Sequence, residues 1–121
     1  MEAVLAFHAQ LARVLVLYFA ATGLWALGLG VRGSAPTPGL RGAFVIAEVA
    51  ALVQGLGGLL VYLFLAPPRD GLHVLYGVAL AVAMPLAASL LRDRTPRGQS
   101  VALGFAALFA AGLAIRGITT A

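Results

Sequence analysis

Four long apolar stretches restrict what this chain can fold into more than any other feature of its sequence. They cover roughly residues 4–30, 42–66, 72–91 and 99–116. At about 1.5 Å per residue, each is long enough as a helix to cross a hydrocarbon layer about 30 Å thick. Backbone groups in lipid must be hydrogen-bonded within their own segment, and these stretches are too long and too uniformly apolar for barrel strands. The sequence therefore predicts an all-α membrane protein with four transmembrane helices.

The composition agrees with a membrane protein of one domain spanning residues 1–121. The chain is 62% hydrophobic and 10% charged, with a mean hydropathy of +1.02, which lies far from the balance of soluble domains. Cysteine is absent. This excludes a disulfide framework, a thiolate metal site, a cysteine nucleophile and covalent c-type haem attachment.

Short connections between the apolar stretches predict how the helices are ordered. The segments "VRGSAPTPGLRG" (31–42), "APPRDG" (66–71) and "RDRTPRGQS" (92–100) contain the expected turn residues. Asp70 is placed to cap the third helix. Because short loops join antiparallel neighbours, we expect an up-down-up-down four-helix bundle.

The arginines, which are the only basic residues of the chain, predict its orientation. The first loop carries Arg32 and Arg41, and the third carries Arg92, Arg94 and Arg97. The opposite side has only Arg69, in the second loop, and Arg116, near the end of the fourth helix. Basic residues favour the cytoplasmic side, so both termini are predicted to face outward across a prokaryotic plasma membrane. The opening "MEAVLAF" has an acid and no base, unlike a cleaved signal peptide. The arginines are not interleaved with aromatic residues, so no nucleic-acid partner is expected.

The only two histidines are predicted to lie at the same depth. His8 is near the outer start of the first helix and His73 near that of the third, and these two helices run parallel. Two level imidazoles facing each other across a bundle are what the axial positions of a haem iron require. Zinc is disfavoured because no third protein ligand accompanies them. The alternative is that each histidine is a plain interfacial polar residue.

Two segments resemble the small four-helix b-type membrane cytochromes and, more distantly, one half of haem A synthase. They are "FHAQLARVLVLYFAATGLWALGLGVRG" and "GLHVLYGVALAVAMPLAASLL", each with a histidine near the start of a long apolar run. The resemblance implies one haem b bound through His8 and His73, and electron exchange with a quinone or within a respiratory or photosynthetic complex. Because the chain has no second histidine pair, the resemblance implies no more than one haem. A histidine also ligates chlorophyll-type pigments, which stay an alternative.

Other residues have an expected place around such a cofactor. Gly57, Gly58 and Gly112 lie in the outer halves of the second and fourth helices, where missing side chains would admit a flat macrocycle. Ordinary packing of membrane helices is the alternative explanation. Arg69 and Arg116 are the cations on the outer side, and are expected either near haem propionates or as interfacial anchors.

Two charged residues lie deeper in the predicted helices, where each costs roughly 2.5–3.5 kcal/mol unless paired or hydrated. Arg13 is expected either to reach the headgroups or to meet Gln54. Glu48 is expected to be protonated or hydrogen-bonded to another helix. Met84 is predicted to lie too deep to ligate a metal held by the histidines.

The sequence thus predicts a haem b-binding electron-transfer protein or redox-complex subunit, associated with other membrane subunits or with copies of itself. The sequence shows no combination of nucleophile, base and acid side chains that would indicate an independent enzyme. One rival is a cofactor-free accessory subunit of a larger membrane complex. The other is a proton-coupled exporter using Glu48, a layout seen in the small multidrug resistance transporters, although those carry their carboxylate in helix one.

Overall fold

The computed structural model describes all 121 residues and consists of four α-helices without any β-strand. They are α1 (Glu2–Val31), α2 (Pro38–Phe64), α3 (Leu72–Leu90) and α4 (Pro96–Thr120). All four are long and apolar enough to cross a membrane. The predicted all-α class and the number of long apolar helices are therefore confirmed.

Threonine–proline pairs set the starts of α2 and α4. Thr37 accepts a hydrogen bond from the backbone N–H of Leu40, and Thr95 accepts one from Gly98, both at 3.1 Å. In each case proline occupies the first helical turn, where its fixed φ favours a helix and its missing N–H costs nothing. Both helices consequently begin before the predicted residues 42 and 99, because apolarity alone does not mark a capped polar first turn. The N-cap of α3 is Gly71 and not the predicted Asp70; Asp70, one residue earlier, accepts from the first backbone N–H of the helix, Leu72 N, at 2.9 Å.

The four helices occupy the corners of a square. α1 packs against α2 and α4, and α3 packs against the same two helices, whereas the backbones of the diagonal pairs, α1 with α3 and α2 with α4, are not in contact. One end of the bundle carries the α1–α2 and α3–α4 loops, and we call it the arginine-rich end. The other carries both chain termini and the α2–α3 loop, and we call it the histidine end.

Small residues bring α1 and α4 closest together. Gly23 and Gly104 face each other so closely that a Cβ built on Gly104 would lie 3.0 Å from the Gly23 carbonyl oxygen and 2.7 Å from Leu27. Leu15 and Phe19 of α1 are almost completely buried next to this contact. Close backbone approach through glycine is a usual way for membrane helices to gain packing energy.

Some buried positions recur at a fixed spacing in the two hairpins. Counterparts in α1 and α3 are 65 residues apart: His8 and His73, Leu15 and Leu80, Phe19 and Met84. Counterparts in α2 and α4 are 63 apart: Leu40 and Leu103, Phe44 and Ala107, Ala47 and Ala110, Ala51 and Ala114, Gly57 and Thr120. Apart from the two half-buried histidines, all of these residues are buried. The likeness is partial, because α1 packs far more closely against α4 than α3 does against α2.

The α1–α4 contact gives a stability prediction. Gly104→Ala places a Cβ against backbone and is expected to destabilise the bundle by about 1–3 kcal/mol, the usual cost of overpacking. Gly112→Ala on the same helix meets nothing within 4 Å and serves as the matched control. Denaturation in detergent, followed by circular dichroism, measures both. Equal stability of the two variants would contradict the close packing described here.

Candidate functional site

The two histidines meet inside the histidine end of the bundle. The centres of their rings are 6.1 Å apart and the ring planes make an angle of 70°. They reach each other across the diagonal from α1 and α3, whose backbones are not in contact. Both side chains are half-buried. The structure therefore brings together the only two imidazoles of the chain.

His8 is fixed to α2 by two reciprocal hydrogen bonds. Its Nδ1 lies 3.2 Å from the Gln54 carbonyl oxygen, and the Gln54 side chain donates through Nε2 to the His8 carbonyl oxygen at 2.9 Å. The first bond holds the ring and the second holds the backbone that carries it. Gln54 thus fixes both the position and the orientation of His8.

His73 is fixed to α4 in an equivalent way. Its Nδ1 lies 2.8 Å from the Gly117 carbonyl oxygen and 3.4 Å from Thr120 Oγ1. The Thr120 hydroxyl in turn donates to the Arg116 carbonyl oxygen at 2.7 Å. In each hairpin, the histidine of the first helix is therefore bonded to a main-chain carbonyl of the second.

These bonds determine which ring nitrogen carries the proton. A carbonyl oxygen only accepts hydrogen bonds, so the Nδ1 of each ring must be the donor. In a neutral imidazole the lone pair then lies on Nε2, and neither Nε2 has a hydrogen-bond partner. An Nδ1–H donating to a main-chain carbonyl is also the usual outer-sphere support of a histidine that ligates a metal through Nε2.

Gly57 and Gly58 make room for the His8 ring itself. A Cβ on Gly58 would lie 2.9 Å from His8 Cε1, and one on Gly57 would lie 3.7 Å from His8 Nδ1. Gly58 follows Gln54 by one helical turn, so its missing side chain opens the way to the carbonyl that His8 binds. The structure thus gives these glycines a different neighbour from the macrocycle expected from the sequence. Gly112 is exposed on the outward face of α4 and has no neighbour within 4 Å of a built Cβ.

The two arginines expected near this end differ in their surroundings. Arg116 lies over the Tyr76 ring, 5.6 Å from its centre, and donates to Thr119 at 3.4 Å. Its own carbonyl accepts from Thr120, which touches His73. Arg116 is therefore connected to the histidine pair through α4. Arg69 is exposed in the α2–α3 loop and its side chain makes no hydrogen bond.

The deeper polar residues lie apart from the histidine pair. Arg13 is exposed on the surface of α1, and Gln54, one of its two expected contacts, is bonded to His8 instead. Glu48 has a buried oxygen, Oε2, without any hydrogen-bond partner, so the structure supplies no partner on another helix for this carboxyl group. Met84 is in the core, about 16 Å along α3 from His73.

Three contributors to the site carried no signal in the sequence: the Gln54 side chain and the carbonyls of residues 54 and 117. Main-chain carbonyls have no residue-type signature.

The spacing of the two rings can be compared with that of two imidazoles on one metal ion. A metal–imidazole bond is about 2 Å long and the ring centre lies about 1.2 Å beyond its nitrogen, so two rings on one metal ion have centres about 6.4 Å apart. The separation here is 6.1 Å. The donor chemistry and the ring spacing are thus compatible with a metal ion shared by the two histidines.

The surroundings do not favour a metal held by protein ligands alone. No group of three or more His, Cys, Asp or Glu side chains that could hold a metal ion is present. A tetrahedral zinc site needs three or four such ligands, whereas a macrocycle supplies the equatorial ligands itself.

Beside the pair, an apolar cleft of about 320 Å³ lies between α1 and α2 and shares Gly57 with the surroundings of His8.

No protein-family model, curated protein or solved structure matches this chain.

Proposed function

We propose that this protein binds one haem b between α1 and α3, with His8 and His73 as axial ligands, and acts in electron transfer within a membrane. The observation that carries the proposal is the facing pair of imidazoles, each held through Nδ1 by a main-chain carbonyl and each with an unbonded Nε2. Haem held by these two residues would supply one-electron transfer chemistry.

The residues of the chain have distinct parts in this proposal. His8 and His73 are the metal ligands, and Gln54, Gly117 and Thr120 hold their rings in the binding tautomer. Gly58 lets the His8 ring lie against α2. Arg116 is the cation connected to this end of the site through Thr120, and it is the better placed of the two arginines to pair with a propionate.

The orientation belongs to the same proposal. The arginine-rich end is placed in the cytoplasm of a prokaryotic cell, because basic loop residues favour that side of the plasma membrane. Both termini and the haem then lie near the outer face. A single haem near one face does not carry electrons across the bilayer, so the protein would work with further membrane subunits or with diffusible quinones.

The test is to purify the protein from haem-replete cells in mild detergent, with its natural partners attached. We expect haem b at one equivalent per chain, measured by pigment extraction and protein quantification. If a chlorophyll-type pigment is found at the same ratio, the result supports the histidine site and assigns it a different ligand. A colourless protein that also fails to take up added haemin would refute the proposal and favour an accessory subunit without a cofactor.

Glu48 gives a prediction that separates this proposal from proton-coupled export. Glu48→Gln removes the ionisable group and keeps its size, and Glu48 does not touch either histidine. We therefore expect the haem content of the variant to stay within about twofold of wild type, since changes away from a site have small effects. Pigment extraction measures it. Loss of a proton-driven efflux activity in this variant, with no haem in either protein, would instead support the exporter.

A further inference from the structure

The charges of the chain are distributed very unequally between the two ends of the bundle. The arginine-rich end carries five arginines and one acid: Arg32, Arg41, Arg92, Arg94, Arg97 and Asp93. At the histidine end Arg69 and Arg116 are balanced by Glu2 and Asp70, and within the helices Arg13 is balanced by Glu48. The whole formal net charge of +4 therefore lies at the arginine-rich end.

The helix termini leave this difference unchanged. α2 and α4 begin at the arginine-rich end, and α1 and α3 end there. A helix N-terminus carries partial positive charge and a C-terminus partial negative charge, so the four termini at this end offset one another. The positive field at this end therefore comes from the arginine side chains.

One side chain, Gln99 of α4, joins the α3–α4 loop to the first turn of α2. Its Nε2 donates to the carbonyl oxygens of Arg94 at 3.1 Å and Arg92 at 3.4 Å, and its Oε1 accepts from Arg41 Nη2 at 3.1 Å. Ser100 adds a 2.6 Å hydrogen bond to the Ser34 carbonyl oxygen. All five arginines are exposed, and none of their side chains bonds a carboxylate.

We propose that the arginine-rich end binds anionic phospholipid headgroups. Exposed guanidinium groups form bidentate hydrogen bonds with phosphate. The loops and first helical turns that carry them lie at one end of the four apolar helices, at the level where a bilayer presents its headgroups. The five arginines lack acidic partners of their own, so an anionic headgroup supplies the missing counter-charge. This inference does not depend on haem binding.

The experiment measures lipid retention by native mass spectrometry of the full chain, with or without its pigment, in detergent containing equal amounts of phosphatidylglycerol and phosphatidylcholine. We expect phosphatidylglycerol to be retained preferentially. Each arginine near an anionic surface strengthens binding about fivefold. Arg94→Gln should therefore weaken retention about fivefold, and Arg94→Gln with Arg97→Gln about 25-fold.

Arg69→Gln is the matched control, since Arg69 is also an exposed loop arginine without a side-chain hydrogen bond, but lies at the other end. It should leave retention unchanged. Soluble glycerol phosphate in place of the lipid distinguishes a free-phosphate site, and we expect it not to displace the lipid. Equal retention of the two lipids, displacement by glycerol phosphate, or equal effects of Arg69→Gln and Arg94→Gln would overturn the proposal.

Discussion

His8→Ala and His73→Ala are each expected to abolish the low-spin haem spectrum of the purified protein. Each substitution removes one of two axial ligands and leaves the other imidazole facing an empty position. Loss of an outer-sphere partner typically weakens metal binding about 10–100-fold, and loss of a ligand itself should exceed that. Haem content by pigment extraction and the visible spectrum measure the effect in the same sample.

Met84→Leu is the control, because Met84 is buried in α3 away from the pair and the change nearly preserves volume. It should retain the wild-type spectrum. If the two histidine variants kept a low-spin spectrum and full haem content, the assigned ligands would be wrong. Circular dichroism of all three variants verifies that the helices are intact, so that loss of haem is not a consequence of unfolding.

Gly58→Leu is expected to have the second largest effect, a loss of haem binding of about 100-fold, similar to the upper range for outer-sphere changes. A Cβ alone at this position would lie 2.9 Å from His8 Cε1, and a leucine side chain must displace the ring. The displaced ring loses its hydrogen bond to the Gln54 carbonyl and no longer faces His73. Titration of the pigment-free variant with haemin measures the affinity.

Gly55→Leu provides the comparison on the same helix, one turn away. Gly55 has nothing within 4 Å of a built Cβ, so a leucine there points into open space and should leave haemin affinity unchanged. Equal affinities for Gly55→Leu and Gly58→Leu would show that close packing of α2 on His8 does not matter for the ligand. Gly58→Ala is expected to lie between wild type and Gly58→Leu.

The helices were predictable from apolar length because lipid leaves the backbone few alternatives. The residues at which the helices begin were less predictable. Thr37 and Pro38, and likewise Thr95 and Pro96, begin their helices inside segments whose polar and proline content indicated turns. The same residue types favour turns and helix caps, so only the hydrogen bonds to Leu40 and Gly98 decide between the two.

The meeting of His8 and His73 followed from topology, since parallel helices place their starts at one level. What holds the rings did not follow from the sequence. The Gln54 side chain was equally able to meet Arg13, and the choice depends on which face of α1 packs against α2. α1 is apolar on nearly every side, so no polar stripe indicates that face. The role of Gly57 and Gly58 depends on the same packing.

Electron paramagnetic resonance of the oxidised, purified protein tests the central claim most directly. Ligation of ferric haem by both imidazoles would give a low-spin signal, and a large angle between the ring planes, 70° in this structure, would make that signal strongly anisotropic. We predict such a signal, at one spin per chain, in the wild type. A high-spin signal or the absence of any haem signal would contradict ligation by His8 and His73.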